Sequence, residues 1–394
     1  MNDYNSLSNI LYSNELDIKK FENLLSHNAQ GYKFFWLEAI VNLLPESDGV
    51  ICFEEIIDEM IWEAWRMVTY YHLRLGPTVN GNAANYLEHA VRKLYSCAKA
   101  ELSIKMLSRE QLKALIHKYN EQLHEDKVHL TDYVPYRLIS PFLDKAGKDF
   151  VDRKDYARFI AYLDGYNKMH DGFFYGIIDA RTELEKKISI SEEWKKFILQ
   201  NHAIISGWIR YKKAEYLQNR NPGVPGIIYK LSTKPQNERH LENARKLWKM
   251  TVEVTGKPLY DIYTGNPLNA EKFDLDHFVP KSYVANDELW NLTPMDGNLN
   301  SSKNNKLPAE RYIKEFVNYQ YKFYEMIFKN TGNAAEQLMK QYEKCKTYNV
   351  NASWAMEKLY VKGNTDNQFK TLLEENIRLT YDAAKLQEYE IWEA

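Results

Sequence analysis

Phe53, Ile56, Ile57, Met60, Ile61, Ala64, Trp65 and Val68 recur at spacings of three and four residues, the stripe of an amphipathic helix that lays one face on a core. The same period runs through Tyr312, Phe316, Tyr319, Phe323 and Met326. Asp17 to Ser26, Tyr32 to Leu44, Ala83 to Glu101 and Ser108 to Leu123 read as further helices, so about the first 130 residues are expected to be helical. Tyr133-Val134-Pro135-Tyr136-Arg137 breaks that pattern. Phe174 to Ile178 reads as a short strand, followed by a long helix from about Glu192 to Gln218. Ser189, with Glu192 three residues on, has the capping-box spacing expected at its start. Leu372 to Trp392 reads as the last helix, and the fold class is expected to be mainly α.

Asn219-Arg220-Asn221-Pro222-Gly223-Val224-Pro225-Gly226 is the clearest break, because two prolines and two glycines in eight residues cannot continue a helix. It separates an expected helical domain over residues 1–220, with a candidate subdivision near 130–150, from a second domain over 227–394. In the second, Pro235 to Val254 is expected as a helix. Leu259 to Tyr263 follows as a strand, with a turn at Thr264-Gly265-Asn266-Pro267. There are no internal repeats and no low-complexity segment.

Composition and charge then add to this picture. Hydrophobic residues at 44% and charged residues at 27% describe an ordinary soluble protein. The sequence has no apolar run of membrane-spanning length and Met1-Asn2-Asp3-Tyr4-Asn5 has no signal pattern, so a cytoplasmic protein without membrane partners is expected. Cys52, Cys97 and Cys345 form no C-x-x-C pair, which argues against a disulfide framework or a cysteine zinc knuckle. The 29 Tyr and 9 Trp point to large aromatic helical cores before base-stacking surfaces. Finally, the net charge of −2 hides a gradient: residues 205–260 hold eleven Lys and Arg against four Glu, a net of +7. Arg239, Arg245, Lys246 and Lys249 share the expected helix and are candidate phosphate contacts. Read alone, the same charges describe a solvated helix face.

The chemistry concentrates in Phe273-Asp274-Leu275-Asp276-His277-Phe278-Val279-Pro280, then Trp290-Asn291-Leu292-Thr293-Pro294 and Asn300-Ser301-Ser302-Lys303. An Asp-His pair at the end of an apolar strand, with Asn291 and a helical Asn300, can assemble one divalent-metal site beside one imidazole. The carboxylate of Asp276 and the amide oxygen of Asn300 are hard ligands suited to Mg²⁺ or Mn²⁺. Adjacent strand residues point to opposite sides, so His277 is expected to face away from Asp276, while Asp274 shares the Asp276 side. Taken singly, each of these residues is more often a structural histidine or a turn asparagine.

The segment from about Leu259 to Pro308 resembles the HNH endonuclease family of ββα-metal nucleases, and especially the HNH domains of CRISPR effector nucleases. The resemblance rests on Asp276-His277, Val279-Pro280, Asn291 fourteen residues after His277, and Asn300 nine further on. It implies a small ββα core over 259–308 embedded in helices, within a mainly α protein. It also implies one Mg²⁺ or Mn²⁺ ion bound by Asp276 and Asn300, with Asp274 as a further candidate, and His277 as general base on the attacking water. Asn291 is then the scaffold of a loop that orients His277 through a backbone carbonyl, and Lys303 approaches the scissile phosphate. Asn300 stands where many members have His, which disfavours zinc. The cysteine knuckles of small HNH domains are missing, so flanking helices must supply the stabilising core. Tyr32-Lys33-Phe34-Phe35-Trp36, Val134-Pro135-Tyr136-Arg137 and Asn221-Pro222-Gly223-Val224-Pro225 resemble segments of bacterial HNH proteins, some encoded near phage-defence genes.

The reading that follows is a metal-dependent DNA endonuclease, in phage defence or restriction. Its amino-terminal domain would target, regulate or bind a protein partner. Two alternatives stand beside it: a non-catalytic nucleic-acid-binding or assembly subunit, and an RNA-cleaving toxin of the same chemistry.

Overall fold

The computed structural model describes residues 6–26, 29–79, 82–83, 85–101, 107–169, 172–232 and 240–394. The chain folds mainly as α-helices with a few small sheets. It divides into two compact units, Met1–Pro222 with Lys230–Lys234, and Gly223–Tyr229 with Pro235–Ala394. Among the described residues no helix is long and apolar enough to cross a membrane.

In the first unit, α1 (Tyr32–Leu43) packs on α2 (Phe53–Thr69), which packs on α3 (Tyr86–Ala98). The stripe from Phe53 to Val68 is buried along its length. Helix α4 (Asn120–Thr131) lies against α3, and one turn of helix, α5 (Val134–Arg137), follows where the sequence pattern breaks. The aromatic excess goes largely into packing here: Phe21 stacks on Trp194 at 5.2 Å and meets Phe174 edge-on at 5.1 Å.

A three-stranded antiparallel sheet runs beside these helices, with β3 (Lys187–Ile190) between β1 (Val50–Cys52) and β2 (Tyr175–Ile178). Ser189 therefore lies in a strand and is not a helix cap. The cap is Ser191, whose hydroxyl accepts from the Trp194 amide. The expected long helix is two, Glu192–Gln200 and α6 (His202–Arg220). Asn201 interrupts it, because its side-chain amide donates to the Phe197 carbonyl and its backbone leaves helical geometry.

The second unit is built around two short hairpins and one helix. β4 (Leu259–Tyr260) pairs antiparallel with β5 (Pro267–Leu268), and β6 (Asp274–His277) pairs antiparallel with β7 (Leu292–Met295). Helix α8 (Gly297–Lys303) follows β7 directly. The carboxylate of Asp296 starts it by accepting from the Asn298 and Leu299 amides. Around this core lie α7 (Glu242–Thr255), α9 (Tyr312–Phe328), α10 (Asn333–Asn349) and α11 (Asp366–Leu386).

Helix α9 braces the sheet: Gln320 donates to the Leu292 carbonyl at 2.6 Å, and Phe316 stacks on Phe278 at 4.3 Å. Trp248 of α7 stacks on Phe323 at 3.7 Å. The chain end departs from expectation. Helix α11 stops at Leu386, and β9 (Ile391–Trp392) instead pairs parallel with β8 (Leu307–Pro308). Trp392 lies edge-on to Tyr263 at 5.0 Å and donates to Ser302, so the last residues buttress α8.

Candidate active site

Strand alternation sorts the candidate residues onto two sides of β6. Asp274 and Asp276 face α8; His277 faces the loop between β6 and β7. On the first side, Asp274 Oδ2 accepts from Asn300 Nδ2 at 3.1 Å, and both residues reach solvent. Asp276 is 4% exposed. Its Oδ1 accepts from Lys303 Nζ at 2.9 Å and its Oδ2 from the Tyr263 hydroxyl at 3.2 Å. Lys303 is fully buried and donates also to the His277 carbonyl at 2.8 Å. Asn300 and Lys303 lie three positions apart on α8, so one helical turn presents both toward β6.

On the second side, His277 is 6% exposed and its Nε2 lies 2.9 Å from Asp287 Oδ1. The same carboxylate oxygen is 2.8 Å from Lys281 Nζ, and Oδ2 accepts from the His240 amide. Asn349 at the end of α10 donates to the Asp287 carbonyl at 2.6 Å, tying this loop to the helical shell. Burial acts to raise the Asp287 carboxyl, but hydrogen bonds from His277 and Lys281 outweigh it and hold the group well below the ordinary carboxylate range. Burial lowers the His277 imidazole below its usual value, with the Asp287 hydrogen bond opposing. Together these leave an ionised carboxylate against a neutral imidazole at neutral pH. The carboxylate accepts the Nε2 proton, which puts the ring's lone pair on Nδ1.

Asn291 is fully buried and makes a closed pair with Val279: its Oδ1 accepts from the Val279 amide at 2.8 Å and its Nδ2 donates to the Val279 carbonyl at 2.9 Å. The Asn291 carbonyl also accepts from the Phe278 amide. It thus pins the two residues that follow His277, while the ring itself is held by the Asp287 side chain and not by a backbone carbonyl. Asp261 does comparable work on the other flank. Its carboxylate accepts from the Tyr263 and Thr264 amides and from the Asp296 amide, joining the first hairpin to the start of α8.

Sequence reasoning passed over Asp287, Tyr263 and Lys281. Asp287 carried a weak signal: a buried histidine needs an orienting acceptor, and Asn286-Asp287-Glu288 is the acidic stretch between His277 and Asn291. Tyr263 carried none, since its partner lies thirteen residues on in another hairpin.

The basic helix is less available than its sequence suggests. Arg239 lies outside the described residues. Arg245 donates to the Phe273 carbonyl and comes within 4.0 Å of Asp274, while Lys249 pairs with Glu271 at 2.6 Å. Lys246 is exposed on the same helix.

Residues 261–309 match the family described as HNH endonuclease. This segment is an HNH domain. A search of curated proteins finds no match for the chain. An HNH domain indicates a nuclease, and with it a nucleic-acid substrate; nucleases of this kind are generally metal-dependent. Among the described residues no group of three or more His, Cys, Asp and Glu is disposed to hold a metal ion. The oxygen donors beside α8 are instead two carboxylates and one amide, Asp274, Asp276 and Asn300. That set fits a hard cation which takes few protein ligands and keeps several waters. It does not fit a closed tetrahedral zinc site.

Proposed function

We propose that the HNH domain is a Mg²⁺- or Mn²⁺-dependent DNA endonuclease with His277 as its general base. The observation that supports this most directly is the Asp287–His277 pair, which fixes the tautomer a base requires. Nδ1 accepts a proton from the attacking water, and the imidazolium that forms is stabilised by the ionised carboxylate on Nε2. Asn291 keeps Phe278 and Val279, and through them the ring, from drifting.

Asp274, Asp276 and Asn300 would hold the ion, which would supply charge stabilisation at the departing 3′ oxygen; breaking that bond leaves a 5′ phosphate on the product. Lys303 is a positioning residue in this scheme. Fully buried, it fixes the Asp276 carboxylate and the carbonyl of His277 with one ammonium and does not face a phosphate. A role in phage defence or restriction rests on the resemblance of Tyr32–Trp36, Val134–Arg137 and Asn221–Pro225 to segments of bacterial HNH proteins.

The test is to incubate the full chain with supercoiled plasmid, linear duplex, single-stranded DNA and RNA, in Mg²⁺, Mn²⁺ or EDTA, beside His277→Ala. Cation-dependent DNA cleavage lost in the variant is expected. Cleavage of RNA alone, or of DNA equally by the variant, would overturn the proposal.

A further inference from the structure

Two of the segments singled out in the sequence, Tyr32–Trp36 and Val134–Arg137, meet in the first unit. Lys33 of α1 and Arg137 of α5 line one cavity of about 640 Å³, with Lys148 as a third cation. Lys33 is separated from Arg137 and Lys148 by more than a hundred positions in the sequence. No carboxylate among the described residues lies within 4.0 Å of any of the three cationic groups. Asp152 is the one acid lining the cavity, beyond that reach.

Arg137 and Lys148 reach solvent, so the strain of this arrangement falls on Lys33. Lys33 is partly buried and its ammonium donates to the Ser26 carbonyl at 3.1 Å. Burial, and then the nearby Arg137 guanidinium, push its pKa down. A desolvated lysine facing an arginine without a counterion is destabilised by both terms. Buried lysines elsewhere in this unit are paired: Lys127 has Asp58 at 2.7 Å, and Lys213 has Glu38. Arg137 is further oriented by stacking its guanidinium 4.7 Å over the Tyr133 ring. Ser140 and Asn23 add neutral hydrogen-bonding groups to the lining, while Leu143 and Val151 supply an apolar wall.

We infer that this cavity binds a terminal phosphate group, with Lys33, Arg137 and Lys148 as its counter-charges and the Leu143–Val151 wall against the carbon skeleton that bears it. A dianionic phosphate replaces the missing counterion, and a guanidinium with ammonium groups is the donor set that phosphate oxygens prefer. The volume suits a ligand of nucleotide size. The same chemistry has two sources, a free mononucleotide or the 5′ end of a nucleic acid. Neither requires the HNH domain to be catalytic, so this inference stands apart from the proposed nuclease reaction.

The test uses the full chain in EDTA, which removes divalent cations from the HNH site. Calorimetric titration and thermal unfolding are run with adenosine 5′-monophosphate, adenosine, and a short single-stranded oligonucleotide with and without a 5′ phosphate. Binding should require the phosphate. A nucleotide that binds where the phosphorylated oligonucleotide does not identifies a small-molecule ligand; binding of both identifies recognition of an end.

Arg137→Gln and Lys33→Met should each weaken binding at least tenfold. Lys33→Met should also raise the melting temperature of the ligand-free protein, because it removes an uncompensated charge. A purely structural lysine gives the opposite sign. No phosphate-dependent binding, or wild-type affinity in both variants, would overturn the inference.

Discussion

His277 Nε2 and Asp287 Oδ1 lie 2.9 Å apart inside the HNH domain, with Lys281 on the same carboxylate oxygen. In the proposed reaction the pair would divide the work of general-base catalysis between two groups. Burial keeps the imidazole unprotonated, and the carboxylate decides which nitrogen carries the proton. On the far face of the same strand, Asp276 and Lys303 form a second buried pair whose ammonium also grips the His277 carbonyl. His277 is therefore held from both faces of β6.

Replacing Asp287 with Asn should separate orientation from acidity. The amide can donate to Nε2, which turns the ring to the tautomer with its proton on Nδ1 and removes the base from the water side. A fall in cleavage rate of about 10²–10⁴ is expected, with DNA affinity unchanged. Measuring kcat and binding in parallel checks it; a variant that cuts at the wild-type rate shows that His277 does not depend on this partner.

The pH dependence follows from the direction of the His277 shift. Because burial lowers its folded pKa, the imidazole is neutral, and competent as a base, from below the ordinary histidine value upward. Activity should rise with pH through that lowered pKa and be level across neutrality. An acidic limb of kcat centred above about 6.5, the unperturbed histidine value, would contradict the assignment.

Much of this was legible in the sequence because it is local. The Asp276-His277 step, Asn291 and Asn300 lie within one hairpin and one helical turn, where strand alternation and helix period fix who faces whom. Nonlocal contacts were not legible. Asp287 reaches His277 through an irregular loop held by Asn349, and Tyr263 reaches Asp276 from another hairpin. Lys303, expected to approach the scissile phosphate, is another such case: Asp276 and the His277 carbonyl draw it wholly inside. At the chain end, residues 372–392 have helical composition, and only the pairing of Trp392 with Pro308 shows why the last of them are extended.

Lys303→Met should cost stability before it costs chemistry, because it leaves Asp276 buried and without its ammonium. Breaking a buried pair on one side typically costs about 3–5 kcal/mol. Adding Asp276→Asn should recover a substantial part of that loss in urea unfolding while leaving cleavage absent. Additive losses from the two changes would mean that the pair is not coupled.

Metal dependence should separate Asp274 from Asp276. Asp274 is half exposed, so Asp274→Ala is expected to fold as the wild type and to raise the Mg²⁺ or Mn²⁺ concentration needed for cleavage, as is Asn300→Ala. Cleavage titrated against each cation, beside the melting temperature of each variant, checks both halves. Unaltered cation dependence in both variants places the ion elsewhere.

The basic helix gives a prediction that its geometry sharpens. Arg245 and Lys249 already meet acidic groups, Asp274 and Glu271, so their charges are partly spent before any phosphate arrives. Lys246 is exposed on the same helix. If α7 approaches the DNA backbone, Lys246→Gln should reduce the slope of log K against log salt by about one phosphate contact, and Lys249→Gln by less. Replacing Arg239, Arg245, Lys246 and Lys249 together should flatten it further, with cleavage at saturating DNA retained. Binding is measured in a His277→Ala background at three salt concentrations, so that turnover does not distort the affinities. The alternative is a helix whose charges only solvate its surface, and it predicts the same slope for every variant. A slope unchanged in the fourfold variant would remove α7 from the DNA interface.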